Sequence, residues 1–133
     1  MLLNNIGLTY YSRGIYNTAI DYFSQALKIS DSTSVMAATN LGLTYYQQMD
    51  YARAMKIMNF TLTKQKTDNA EKLLVRLNRL MVNLELEDCQ EIKADRALIE
   101  YLRFNNEAGD YPNQIEEFDN QIAKLCTTSV HRK

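Results

Sequence analysis

The seven residues "NIGLTYY" at Asn5 to Tyr11 return as "NLGLTYY" at Asn40 to Tyr46, an offset of 35 positions. The register runs on: "NIGLTYYSRGIYNTAIDYFSQAL" lies over "NLGLTYYQQMDYARAMKIMNFTL", pairing Gly7 with Gly42, Tyr10 with Tyr45, Tyr16 with Tyr51, Ala19 with Ala54 and Leu27 with Leu62. Duplication at a fixed period of this size points to a stack of like units. In the first copy Leu3, Ile6 and Tyr10, and then Ala19, Tyr22, Phe23 and Ala26, recur at steps of three and four. That is the period of an amphipathic helix, so each copy reads as two helices with one apolar face apiece. "SRGIY" interrupts the pattern, with Gly14 placed to turn left-handed and end the first helix. The small residues Gly7, Gly42, Ala19 and Ala54 let paired helices approach, and the bulky Tyr10, Tyr45 and Phe23 fill the space between layers. A lone hairpin cannot bury both faces, so the units must stack.

A third, weaker unit follows. "NRLMVNLELED" from Asn78 lies over "NLGLTYYQQMD" from Asn40, with Asp88 under Asp50, at an offset of 38. The extra residues fall in the connector "TKQKTDNAEK", where a loop tolerates insertion. Helices are predicted near 69–86 and 89–105. After "NNEAGD", Tyr111-Pro112 reads as a turn with Pro suited to a first helical position. Ile115, Phe118, Ile122 and Leu125 then form one apolar face, as expected of a helix that caps the stack. The predicted organisation is all-α: a single domain over 1–126, with units near 1–31, 34–65 and 69–105, a capping helix over 111–126 and a flexible tail over 127–133. In the connector after the first unit, "SDSTS" offers Ser and Asp to start the next helix. The opening helix begins at about Met1 or Leu2 with nothing before it to cover Leu2 or Leu3, so that end is expected to join a longer array or a second copy.

The unit resembles the tetratricopeptide repeat, whose pattern runs Trp-x2-Leu-Gly-x2-Tyr, then Ala-x3-Phe, Ala and Pro. Leu3 replaces the Trp, Ile6-Gly7 and Tyr10 follow, and Ala19, Phe23 and Ala26 stand at the matching distances. In the second copy Met58 and Thr61 replace the Phe and the later Ala, and neither copy has the Pro. The resemblance implies an α–α superhelix whose leading helices line a concave groove for an extended peptide or a partner helix. Carried over by register, the groove positions are Asn5, Leu8, Tyr11 and Ser12, then Asn40, Leu43, Tyr46 and Gln47, then Asn78, Met81 and Glu85. Asn5, Asn40 and Asn78 are equivalent, and a carboxamide offers the donor and acceptor that a peptide backbone matches in reverse. The carboxylate clamp of heat-shock co-chaperones needs Lys and Asn where this chain has Asn4 and Leu8, so only Asn40 fits that pattern. The function implied is a protein-binding module or adaptor. A peptide-sensing domain like those of bacterial regulators and a self-assembling scaffold are the alternatives.

Composition narrows the classes. The net charge is −1, against general nucleic-acid binding, which depends on neutralising phosphates. Residues 1–67 nonetheless carry six Lys or Arg against three Asp and no Glu, and the acidic excess lies in the remainder. No apolar run is long enough to span a bilayer and no secretory leader is visible, so a cytoplasmic location is expected. Cys89, Cys126 and the single His131 are too few and too far apart in sequence for a zinc site, and the cysteines read as buried or partly buried thiols. Without a base for nucleophilic catalysis or a glycine-rich phosphate loop, the expectation is a non-enzyme without cofactor or metal.

Overall fold

The computed structural model describes the backbone of residues 2–30, 34–104 and 112–131, and side chains as far as 126. The readings at Asp31, at the turn over 105–111 and at the last two tail residues lie outside the described residues. Those described form seven α-helices: α1 Leu2–Ser12, α2 Tyr16–Ile29, α3 Val35–Gln47, α4 Tyr51–Thr63, α5 Asn69–Leu86, α6 Cys89–Phe104 and α7 Pro112–His131. The chain divides into two compact units, Met1–Asp68 and Asn69–Lys133.

Three hairpin turns share one design. Gly14, Met49 and Glu87 take positive φ of 75°, 60° and 57°. Behind each, the next N–H reaches back five residues to a helix carbonyl: Ile15 to Tyr10, Asp50 to Tyr45 and Asp88 to Asn83, at 2.9, 2.9 and 3.1 Å. The left-handed residues themselves bond three back, Gly14 to Tyr11, Met49 to Tyr46 and Glu87 to Leu84. This is the double bond of a Schellman cap. The three turns stand 35 and then 38 residues apart, which places the third unit in the register read from Asn78. The turn also launches the next helix: Asp50 accepts from the Arg53 N–H at 3.2 Å and Asp88 from the Glu91 N–H at 3.1 Å. Ile15 at the start of α2 has no such side chain. Ser34 caps α3 by accepting from the Ala37 N–H at 3.1 Å.

In the first unit α1 packs on α2, α2 on α3 and α3 on α4, with α1 also touching α3. Phe23 and Ala19 are fully buried beside Leu41, and Ala54 and Met58 are buried on α4. Gly7 is what lets α1 and α2 close: a Cβ there would stand 2.5 Å from the Phe23 ring. In the second unit Leu73, Leu77, Leu80, Ile92, Ile99 and Leu102 form the core, joined from α7 by Ile115 and Cys126 and flanked by Phe118, Ile122 and Leu125. The apolar face read for the last helix therefore lies against α5 and α6. That helix runs on to His131, past the 126 at which the sequence reading ended it.

The expectation of two thiols is corrected: Cys89 and Cys126 form a disulfide. Antiparallel packing explains it, because α7 returns along α6 and brings its far end to the start of α6. Arg96 of α6 grips Asp119 of α7 through two bonds of 2.6 and 3.0 Å along the same seam. Residues 37 positions apart thus become neighbours.

Candidate functional site

On α1 of the first unit, Asn5, Leu8 and Ser12 are exposed and Tyr11 is half-buried. On α3, Asn40, Leu43 and Tyr46 are half-buried and Gln47 is exposed. Two tyrosines end the leading helices, and each leans on the tyrosine that opens the following helix. Tyr11 meets Tyr16 edge-on with centroids 5.6 Å apart, and Tyr46 meets Tyr51 at 5.8 Å. Both contacts occupy the same repeat positions. Supported from behind, each ring is held as a firm apolar surface with a polar tip. Gln47 Nε2 donates to the Tyr11 hydroxyl at 3.2 Å and so ties the ends of α1 and α3 together. The eight side chains carry no charge. Such a surface offers aromatic contact and neutral hydrogen-bonding groups.

The three asparagines do not share one environment. Asn5 is exposed; Asn40 Nδ2 donates to Asn4 Oδ1 at 3.0 Å; Asn78, on α5 of the second unit, is 6% exposed. Asn4 itself is 3% exposed, and its own Nδ2 has no partner among the described residues. Asn4, which the clamp pattern leaves without a role, is the side chain that engages Asn40. Met81 is half-buried on α5. At the start of the chain Leu2 and Ile29 are exposed by 73% and 75% and border a recess of about 270 Å³ with Met36 and Asn4.

Residues 1–32 match the family model of the tetratricopeptide repeat. A structure of the "first TPR of Spaghetti (RPAP3) bound to HSP90 peptide SRMEEVD" superposes with a TM-score of 0.71 at 20% identity, over 92% of this chain and 91% of that one. The first TPR domain of the human RPAP3 protein superposes with 0.73 at 20% identity, over 95% and 94%. The chain carries a tetratricopeptide repeat and has the tetratricopeptide-repeat fold. Comparison with curated proteins returned no match.

The tetratricopeptide-repeat fold also holds a polar cluster that the sequence reading missed. Asp95 of α6 is fully buried between Arg76, at 2.9 Å, and Asn83, at 2.8 Å, with Arg79 at 3.6 Å. Arg79 also bonds Glu91 at 2.8 Å. Burial pushes the Asp95 carboxyl above its ordinary pKa, against the pull of Arg79, Arg76 and Asn83. The signal was present: Arg76, Arg79 and Asn83 share one stripe of α5, and Glu91 and Asp95 stand one turn apart on α6. This ion cluster joins α5 to α6, with Arg79 Nε alone of its guanidinium nitrogens lacking a partner among the described residues. Among the described residues no group of three or more His, Cys, Asp or Glu side chains is placed to hold a metal ion, and no helix is long and apolar enough to cross a membrane.

Proposed function

We propose that the α1–α3 face of the first unit binds an extended, largely uncharged segment of a partner protein. The observation that carries the reading is the pair of braced tyrosines, Tyr11 and Tyr46, at equivalent positions of successive repeats on a face without charge. In this reading Leu8, Tyr11, Leu43 and Tyr46 supply apolar contact, and Asn5, Ser12 and Gln47 meet the peptide backbone. Asn40 gives one amide hydrogen to Asn4, which leaves its second amide hydrogen and its carbonyl oxygen for a ligand. Asn78 and Met81 are the register counterparts on α5. The Spaghetti domain was solved with an HSP90 peptide, which supports a peptide as the class of partner. A carboxylate clamp is not part of this reading, because Asn4 is buried and Leu8 is apolar.

The test is affinity against stability for a peptide selected from a random linear display library. Tyr46→Ala is expected to weaken binding by about tenfold or more, as loss of a central aromatic anchor does, while the fold stays intact. The peptide SRMEEVD is expected to bind far more weakly than the selected one. A Tyr46→Ala protein that keeps full affinity would remove the reading, and tight binding of SRMEEVD would replace it with a clamp.

A further inference from the structure

A second recess lies on the other side of α3. In the first hairpin Tyr10 and Tyr22 stack, with centroids 5.6 Å apart and planes within 7° of parallel. The residues 35 positions on are Tyr45 and Ile57, so the second tyrosine has an aliphatic neighbour where the first has a ring. Nearby positions on the same helix change with it: Thr18 becomes Arg53, Asp21 becomes Lys56 and Gln25 becomes Phe60. In the second hairpin Tyr45 and Ile57 do not stack ring on ring but both line an open recess. A cavity of about 440 Å³, open to solvent, lies among Leu41, Tyr45, Ile57 and Phe60, closed by Leu27 of α2. Arg53 and Lys56 border it. The Arg53 guanidinium stands 5.9 Å over the Tyr45 ring and 3.5 Å from Asp50. Lys56 is exposed, one turn further along α4, and pairs with no carboxylate among the described residues. At about 100° per residue, Leu41 and Tyr45 point away from Leu43 and Gln47, so the cavity does not belong to the α1–α3 face.

We propose that this cavity binds an acidic peptide segment through one large apolar side chain, with neighbouring carboxylates held by Lys56 and Arg53. The volume lies within the range of ligand sites. Charge selects the occupant: relative to the first hairpin the rim exchanges an Asp for a Lys and gains an Arg, within a stretch that contains no Glu. The open mouth suits a side chain presented by a backbone lying outside, whereas an acyl chain must be enclosed to leave water.

The probe is a short peptide with a single Phe between Glu residues, acetylated and amidated at its ends and fluorescently labelled. Ile57→Tyr rebuilds the stacked pair that the first hairpin already accommodates, and Lys56→Asp restores the first hairpin's charge. Each is expected to weaken the probe by about tenfold or more, as are Glu→Gln and Phe→Ala in the probe itself. Amide resonances around Lys56 and Ile57 should shift on binding, and Tyr46→Ala should leave the affinity unchanged, which separates this site from the α1–α3 face. Unchanged binding to a folded Ile57→Tyr or Lys56→Asp protein would overturn the proposal. So would shifts confined to α1 and α3, binding of dodecanoate without the peptide, or a dimer that the probe does not dissociate.

Discussion

A single hydrogen atom in place of a methyl group decides how α1 meets α2. At Gly7 an added Cβ would stand 2.5 Å from a fully buried Phe23 ring that has nowhere to go. At Gly42 the nearest atoms are Ile57 Cγ2 at 3.0 Å and flexible Met58 atoms at 3.4 Å. Alanine also gains roughly 1 kcal/mol of helix propensity over glycine, which offsets the milder clash and not the severe one. Gly7→Ala is therefore expected to destabilise by about 1–3 kcal/mol in a denaturant titration, and Gly42→Ala to be nearly neutral. Two aspartates of the second unit carry opposite signs of pH dependence. Arg96 holds the Asp119 carboxyl below its ordinary 3.8, so that pair stabilises above this value and the gain is lost as pH falls through the lower folded-state pKa. Burial raises Asp95 above 3.8, so its contribution is fully present below 3.8 and is lost as pH rises from there through the raised folded-state pKa. Carboxyl ¹³C shifts should show Asp95 titrating above 3.8 and Asp119 below it; the reverse order would contradict both environments.

The elements were legible where periodicity is strong. The helices predicted at 69–86 and 89–105 match α5 and α6 to within a residue, and Gly14 takes the left-handed turn assigned to it. Met49 and Glu87 occupy the same turn position without a glycine's freedom, which is why the hairpin shape was readable there only by register. A non-glycine residue in this conformation costs about 1 kcal/mol or more. Glu87→Gly is expected to raise stability by about that amount by thermal melting. Less legible was what joins elements far apart in sequence. The Cys89–Cys126 bond and the Arg96–Asp119 pair both follow from α7 running back along α6, and no local pattern announces either. A loop of this length gives about 3–4 kcal/mol of stabilisation from restricted unfolded chain. Cys126→Ser is expected to lose that much, and the wild type should react with a maleimide only after reduction. Disulfides persist mainly in oxidising compartments, so the same labelling on protein taken from cells bears on the cytoplasmic expectation.

At the scale of the whole chain, the duplicated heptad was enough to place an all-α repeat fold, because two copies of one hairpin can bury their faces only by stacking. The candidate site was legible as a set of positions and not as a set of environments. Register groups Asn5, Asn40 and Asn78 by position alone, and it cannot see that Asn4, next to Asn5, takes the Asn40 amide, or that Asn78 is buried. The aromatic wall was better defined by sequence, since Tyr11 and Tyr46 are braced by Tyr16 and Tyr51 at the same offset. The claim on which the account turns is that this face, rather than any other, receives a partner peptide. Amide NMR of the labelled protein, titrated with a display-selected linear peptide, tests it most directly. Shifts concentrated at Asn5, Leu8, Ser12, Tyr46 and Gln47 are the predicted result; binding that leaves α1 and α3 unperturbed would contradict it.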